Sequence, residues 1–127
     1  MAARNVGPMA EIAELMRANL LEVFGERDGE RRRAAIARLH RPDVVFHDPG
    51  GPVAGHDALH AKVQSILDDA PPEFAFSAAG PVRVNDDLGY LPWNFGPAGA
   101  PPVVRGVDIA LVRDGLIADL YTLLLAD

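Results

Sequence analysis

Two carboxyl groups in apolar surroundings are the residues of this chain whose placement could do chemistry. Asp108 lies in the middle of a run that is apolar on both faces, and alternation along a strand puts it on the same face as the small residues Gly106 and Ala110. A buried carboxylate must be paired, protonated or next to a cavity, because an isolated charge is costly to desolvate. An ion pair with Arg105 or Arg113 is one interpretation, and a carboxyl group that lines a cavity is the other.

Asp48 is the second of these carboxyl groups. It ends a short strand over residues 43–48 and shares a face with Phe46. Pro-Gly-Gly follows it, so this Asp is either a turn former or a catalytic residue that a substrate can reach. If both carboxyl groups line one apolar site, their pKa values would differ, and that difference permits acid–base chemistry near neutral pH.

Three other polar groups are weaker candidates. Asn19 lies at the margin of the apolar stripe of the first helix, so it is either a boundary residue or a donor into a pocket. His56 and His60 have the i, i+4 spacing of a metal-binding pair, but without a third ligand the sequence favours a solvated surface. The basic run 31–33 is most simply a solvated helix face.

The composition predicts one domain and excludes several classes of protein. At 127 residues, 49% of them apolar, the chain is long enough for one core and too short for two. The 12 basic and 18 acidic residues give a net charge of −6, which argues against nucleic acid as a partner. There is no cysteine, no apolar run that could span a bilayer and no signal-peptide pattern, so we expect a soluble cytoplasmic protein without a thiolate site.

The apolar pattern predicts three helices with one short strand among them, followed by a long antiparallel meander. After a flexible leader at residues 1–8, a single domain covers residues 9–127. We expect helices from Met9 to about Gly25, from after Asp28-Gly29 to before Pro42 and from about Asp57 to Asp69, with strands over 43–48, 74–79, 82–85, 88–95 and on both sides of Asp114-Gly115. The last dipeptide suits the positive φ angles of a tight hairpin turn. This order predicts an α+β fold with helices on one side of a curved sheet.

As a whole the sequence resembles the superfamily that contains ketosteroid isomerase, nuclear transport factor and SnoaL-type polyketide cyclases. The resemblance rests on the long first helix, the segment 42–50, Gly55–Leu59 at the start of the third helix, Trp93 on a strand and the segment 106–117. It implies a cone-shaped fold. A curved antiparallel sheet would wrap around the long N-terminal helix, with two further helices and an apolar pocket at the open end.

The resemblance also implies roles for the two carboxyl groups. Asp48 falls where the isomerases carry a proton-abstracting Asp, and Asp108 falls where they carry a protonated Asp that donates a hydrogen bond to the enolate oxygen. Where those enzymes place a Tyr donor on the first helix, this chain has residues 18–20, Ala-Asn-Leu. The limonene epoxide hydrolases of the same superfamily use an Arg with two Asp residues, and Arg105 and Asp108 echo that pattern, with Thr122 at the position of the second Asp.

These observations predict an enzyme of the isomerase or cyclase type that abstracts a proton next to a carbonyl in an apolar pocket. The expected catalytic residues are Asp48 and Asp108, and the expected substrate-binding residues are Asn19, Phe46, Tyr90, Trp93 and Ala110. No metal or organic cofactor is needed. The expected partners are a small apolar carbonyl compound and a second copy of the chain, which would pack on the sheet face of Val107, Ile109 and Leu111, and neither nucleic acid nor a membrane is expected. The alternative is a non-catalytic module of the same fold that binds a small apolar ligand.

Overall fold

The computed structural model describes residues 2–125, with side chains from residue 9 onward. The helices are α1 (Ala2–Ala18), α2 (Gly29–Leu39) and α3 (His56–Asp68), and a π-helical segment (Asn19–Phe24) continues α1. The strands are β1 (His40–Asp48), β2 (Gly51–Ala54), β3 (Phe74–Ala78), β4 (Arg83–Asn85), β5 (Leu88–Pro97), β6 (Val104–Arg113) and β7 (Leu116–Leu124). The side chains of the expected flexible leader, residues 1–8, lie outside the described part, so its mobility stays a prediction. None of the described helices has the length and apolar character needed to cross a membrane.

The strands form one open, curved sheet in the order β2-β1-β7-β6-β5-β3, with β4 also paired to β5. The α+β fold predicted from the sequence is confirmed, but the sheet is mixed because β1 and β7 run parallel. Strand β2 was not predicted. Its first residue, Gly51, has a φ of +106°, and this left-handed backbone lets the chain reverse so that Asp48 pairs with Gly51.

The β6–β7 hairpin sets the register of the site. Asp114 and Gly115 have φ angles of 54° and 78°, as the sequence predicted for a two-residue turn, and Arg113 pairs with Leu116 across it. A regular antiparallel ladder of paired residues leads away from the turn, with one irregularity between Leu111 and Val112. The hairpin brings Asp108 and Thr122 together as direct cross-strand partners.

The first helix ends in the π-helical segment, where the backbone N–H of Gly25 donates to the carbonyl of Leu20 at 2.9 Å. A π turn holds one more residue than an α turn and is rare in helices. Here Leu20 and Phe24 are both buried. Helix α1 itself packs closely on β5, because a Cβ at Gly89 would lie only 2.9 Å from a methyl carbon of Ile12.

Arg32 differs from the prediction that the basic run 31–33 is solvated. Its side chain is fully buried, while Arg31 and Arg33 are exposed. The guanidinium donates to the carbonyl of Glu26 through Nε at 2.9 Å and Nη2 at 2.7 Å, and through Nη1 to Oε1 of Gln64 at 2.7 Å. These hydrogen bonds offset the cost of burying the charge and tie the loop after the π-helical segment to α3.

Candidate functional site

An apolar cavity of about 230 Å³ lies between the sheet, the π-helical segment and α3. Its polar side chains are Asp48, Asp108 and Thr122. Five of its lining residues are aromatic: Phe24, Phe46, Phe76, Trp93 and Phe95. The structure therefore brings both predicted carboxyl groups, together with Phe46 and Trp93, to one cavity.

Three neighbouring strands carry the polar groups in a row. Asp108 on β6 pairs with Thr122 on β7. His47 on β1 pairs with Tyr121 on β7, so Asp48, one residue further, lies beside Thr122. Because neighbouring strands are about 4.8 Å apart, the Cα atoms of Asp48 and Asp108 are separated by about 10 Å. A small ligand that lies across Thr122 can contact both carboxyl groups.

Asp108 is 3% exposed and is held by hydrogen bonds, with no ion pair to any of the described side chains. Its Oδ1 accepts from Nε1 of Trp93 at 2.9 Å and from Oγ1 of Thr122 at 2.8 Å. Burial raises the pKa of Asp108 to about 6, against the opposing effect of the hydrogen bonds from Thr122 and Trp93. The other oxygen, Oδ2, has no hydrogen-bond partner within the described part of the chain, so it is the oxygen that a ligand can reach.

Asp48 has a different environment at the edge of the cavity. Its Oδ1 accepts from the backbone N–H of Gly50 at 2.8 Å, as in a turn. Its Oδ2 lies 3.5 Å from Nζ of Lys62 on α3. Asp48 therefore forms a turn and also lines the cavity, and its catalytic role stays a prediction. Carboxylate oxygens have about four acceptor positions between them, so these two contacts leave Asp48 able to accept a proton.

Gly106 explains how the Trp93 indole reaches Asp108. A Cβ at position 106 would lie 2.3 Å from Cζ2 of Trp93, so the ring occupies the space that a side chain would need. The sequence indicated room beside Asp108 at this glycine, and the structure fills that room with the indole. Only glycine allows this contact, and the contact fixes the Nε1–H bond to Asp108.

Three predicted binding residues do not line the cavity. Asn19 is fully buried against His40, whose Nε2 lies 2.8 Å from the Asn19 Oδ1. Tyr90 lies on the opposite face of β5 from Trp93, because residues an odd number apart alternate. Ala110 is on the same face as Asp108 but pairs with Gly89, which lies under helix α1.

The two histidines of the i, i+4 pair contact the protein itself. Nε2 of His56 is 3.0 Å from the carbonyl oxygens of both His40 and Arg41, which fits an N–H donor shared between them. Nδ1 of His60 is 3.5 Å from Nη1 of Arg32. Among the described side chains, no group of three or more His, Asp or Glu residues is placed to hold a metal ion.

Sequence reasoning missed several residues of the site. Phe95 could have been found, since it is two residues from Trp93 and shares its face. The pairing of Thr122 with Asp108 was missed, because the turn alone would place Asp108 opposite Tyr121, and the irregularity between Leu111 and Val112 shifts the register by one residue. Lys62 gave no local signal, since its contact with Asp48 depends on how α3 packs near β1.

Known proteins support the fold independently. The sequence pattern described as the SnoaL-like domain matches residues 18–120. A protein of Agrobacterium tumefaciens, named as a candidate isomerase of the SnoaL-like family, aligns with a TM-score of 0.83 at 19% identity, over 92% of this chain and 99% of its own. A candidate polyketide cyclase of Sinorhizobium meliloti aligns with a TM-score of 0.68 at 16% identity, over 86% of this chain and 93% of its own.

The same fold also occurs in a designed protein. A de novo designed protein with a curved β-sheet has a TM-score of 0.70 at 12% identity, over 91% of this chain and 86% of its own. No curated protein matches the sequence. At these identities the solved structures show the fold alone, and a function has to be argued from the cavity.

Proposed function

Because this chain belongs to the SnoaL-like domain family, we propose that its cavity binds a small apolar carbonyl compound and abstracts a proton from the carbon next to the carbonyl. The observation that carries the proposal is the pair of carboxyl groups in one apolar cavity. Among the described residues Oδ2 of Asp108 has no hydrogen-bond partner and its surroundings are apolar, whereas Asp48 has an ion-pair partner and lies nearer the surface. Two such groups can take opposite parts in acid–base chemistry.

In the proposed reaction, Asp48 accepts the proton as general base and negative charge develops on the carbonyl oxygen. Protonated Asp108 donates a hydrogen bond from Oδ2 to that oxygen. Trp93 and Thr122 hold Oδ1 by their hydrogen bonds, so the free oxygen is fixed before the substrate arrives. In an isomerase the proton returns from Asp48 to another carbon. In a cyclase the enolate carbon attacks a second carbonyl of the same molecule, and the alkoxide formed there takes up the proton, which regenerates Asp48.

The apolar walls increase the effect of these two groups. A hydrogen bond to a developing charge is stronger in a water-poor site than in water, because the local dielectric is low. The aromatic lining provides such a site around Asp108. Water would therefore compete little with the proposed oxyanion donor.

The experiment uses NMR to monitor the exchange of the α-hydrogens of a bound ketone for solvent deuterium. Wild type should exchange above the rate in buffer, and Asp48→Asn should lose the exchange while ligand binding stays nearly unchanged. Asp57→Asn, at an exposed carboxylate on α3, is the matched control and should exchange as wild type does. Exchange at the wild-type rate in Asp48→Asn would rule out Asp48 as the base.

A second candidate, a non-catalytic binding module, is favoured by one observation. Leu20 lines the cavity from the first helix, where the resemblance to the isomerases implies a Tyr donor. The site then has one fewer group to stabilise an oxyanion. Binding of ketones without any exchange above the rate in buffer would support this candidate.

The homodimer is also a proposal. The outer face of the sheet carries Tyr121 and Leu123, which are 39% and 52% exposed, and they pair with Ile109 and Val107 across the β6–β7 hairpin. Ile109, Tyr121 and Leu123 make one apolar surface, which we call the outer patch, whereas Val107 is 5% exposed and adds little to it. An apolar patch on an open sheet is typical of an interface between subunits.

A further inference from the structure

We propose that the cavity is sized for a flat, uncharged ligand of one or two fused rings whose single carbonyl oxygen points inward to Asp108. This inference rests on the proposed function, because it takes the same cavity as the substrate site. It adds the size, the charge and the orientation of the ligand.

The volume limits the number of rings. An engineered protein cavity of roughly 150 Å³ is filled by benzene, and pockets for drug-sized ligands start at roughly 300 Å³. At about 230 Å³ this cavity has room for about half as much again as one benzene ring. A fused bicycle fits that space, while a four-ring ligand would leave rings outside in water.

The walls favour a flat molecule. Phe76 stacks on Phe95 with ring centroids 4.0 Å apart and contacts Trp93 edge to face at 5.3 Å, while Phe24 contacts Phe46 at 5.4 Å. One group of rings comes from the sheet, and Phe24 comes from the π-helical segment. Phe24 also contacts Phe76, with ring centroids 6.2 Å apart, so the rings form one continuous aromatic surface. A planar ligand ring against that surface can adopt the offset or edge-to-face contacts that aromatic pairs prefer.

Burial sets the orientation of the ligand. At the inner end, Asp108 and Trp93 are 3% and 5% exposed, whereas Leu124 at the outer end is 53% exposed. The free Oδ2 of Asp108 is the inner hydrogen-bonding atom, since the Thr122 hydroxyl already donates to Oδ1. A ligand with its oxygen inward satisfies that atom, and its apolar part then lies among the rings.

The charges at the site favour an uncharged ligand. An ion of either sign would lose its hydration against the apolar lining. Asp48 could attract an amine, but the ammonium group of Lys62 lies 3.5 Å from it and offsets its charge. Asp108 is then the remaining acidic group, and in its protonated form it donates a hydrogen bond. A ketone oxygen can accept that hydrogen bond, whereas an ammonium group has no acceptor.

The test uses wild-type protein and four ligands at about pH 5.5, where Asp108 is mostly protonated. The ligands are 1-tetralone, its hydrocarbon tetralin, the amine 1-aminotetralin and a four-ring steroid ketone kept below its solubility limit. The chain has one tryptophan, so the single indole N–H peak in a ¹H–¹⁵N spectrum comes from Trp93 and reports binding beside Asp108. Isothermal titration provides the dissociation constants.

We expect 1-tetralone to shift the indole peak and to bind at least tenfold more tightly than the other three. If the steroid binds as tightly as 1-tetralone or more tightly, the assigned ligand size is wrong. The same result for the amine would overturn the assigned charge. The same result for tetralin would overturn the role of the inner oxygen. Absence of tetralone binding up to millimolar concentration would overturn the inference as a whole. Tetralone that binds as expected but shows no deuterium exchange would count against the proposed function and leave the ligand class standing.

Discussion

Replacing Asp108 by Asn tests whether the folded protein favours the protonated, neutral form of this buried carboxyl group. Asn has nearly the same shape, and its oxygen can still accept from Trp93 and Thr122 as Oδ1 of Asp108 does. It cannot ionise. The variant therefore keeps the contacts of the protonated acid and removes its titration, so any pH-dependent difference in stability belongs to residue 108.

The magnitude follows from the pKa of Asp108, which burial raises from its ordinary value of 3.8 to about 6. Because the folded pKa is the higher one, its stabilising contribution is complete below pH 3.8 and is lost as the pH rises through 6. A tenfold change in proton affinity corresponds to about 1.4 kcal/mol, so the total is about 3 kcal/mol. Between pH 4.5 and pH 7, linkage predicts that Asp108→Asn gains about 2 kcal/mol of unfolding free energy relative to wild type.

The assay is urea unfolding, monitored by circular dichroism, at several pH values in this range. Burial also lowers the pKa of His40 to about 3, helped by the nearby His56. The stability linked to His40 is full above pH 6.5 and is lost as the pH falls. This titration is common to both proteins and cancels in their difference. Glu73→Gln, at an exposed carboxyl group, is the control and should follow wild type at every pH.

Two results would refute the reasoning about Asp108. A stability difference that stays constant from pH 4.5 to pH 7 would mean that its pKa is not raised. A variant that becomes less stable than wild type toward pH 7 would mean that the carboxylate is paired with a cation, since removing one partner of a buried pair leaves the other uncompensated.

Three further predictions concern the reaction, the glycine beneath the indole and the outer patch. If protonated Asp108 is the oxyanion donor, kcat/KM for deuterium exchange should fall as the pH rises through about 6, and a rate that rises through the same pH would instead make Asp108 the base. Gly106→Ala should displace the Trp93 ring and lower the unfolding free energy by about 1–3 kcal/mol. The indole N–H peak of Trp93 should shift, and an unchanged peak would contradict the contact between residue 106 and the ring. Wild type should sediment as a dimer at micromolar concentration, and Leu123→Glu should sediment as a monomer. The control Leu21→Glu, at a leucine that is 54% exposed on the π-helical segment, should remain a dimer. A monomeric wild type would exclude the proposed interface.

The features predicted correctly depend on short-range patterns. Asp114-Gly115 defines its turn because few residues adopt positive φ angles. Alternation then places Asp108 on the buried face of β6, and the same rule applied to β5 would have separated Tyr90 from Trp93. Local chemistry is sufficient for each of these results.

The features that were missed depend on contacts between distant parts of the chain. Nothing near Arg32 shows that the carbonyl of Glu26 and the amide of Gln64 will surround it. The same holds for Lys62 beside Asp48, and for the parallel pairing of β1 with β7. Asn19 looked like a pocket donor because its partner, His40, is 21 residues away along the chain.

The parallel pairing of β1 with β7 has a consequence for the time course of folding. Phe46 pairs with Leu120, so Asp48 and Thr122 meet only after almost the whole chain is available, and such distant pairings form slowly because a large loop must close first. On the ribosome, the cavity cannot be complete until β7 has emerged, although the helices and β1 are made much earlier. Until then the cavity lacks the strand that carries Thr122 and Leu124. The proposed ligand could therefore bind only late, and a ligand present during synthesis would stabilise only molecules in which β7 is already in place.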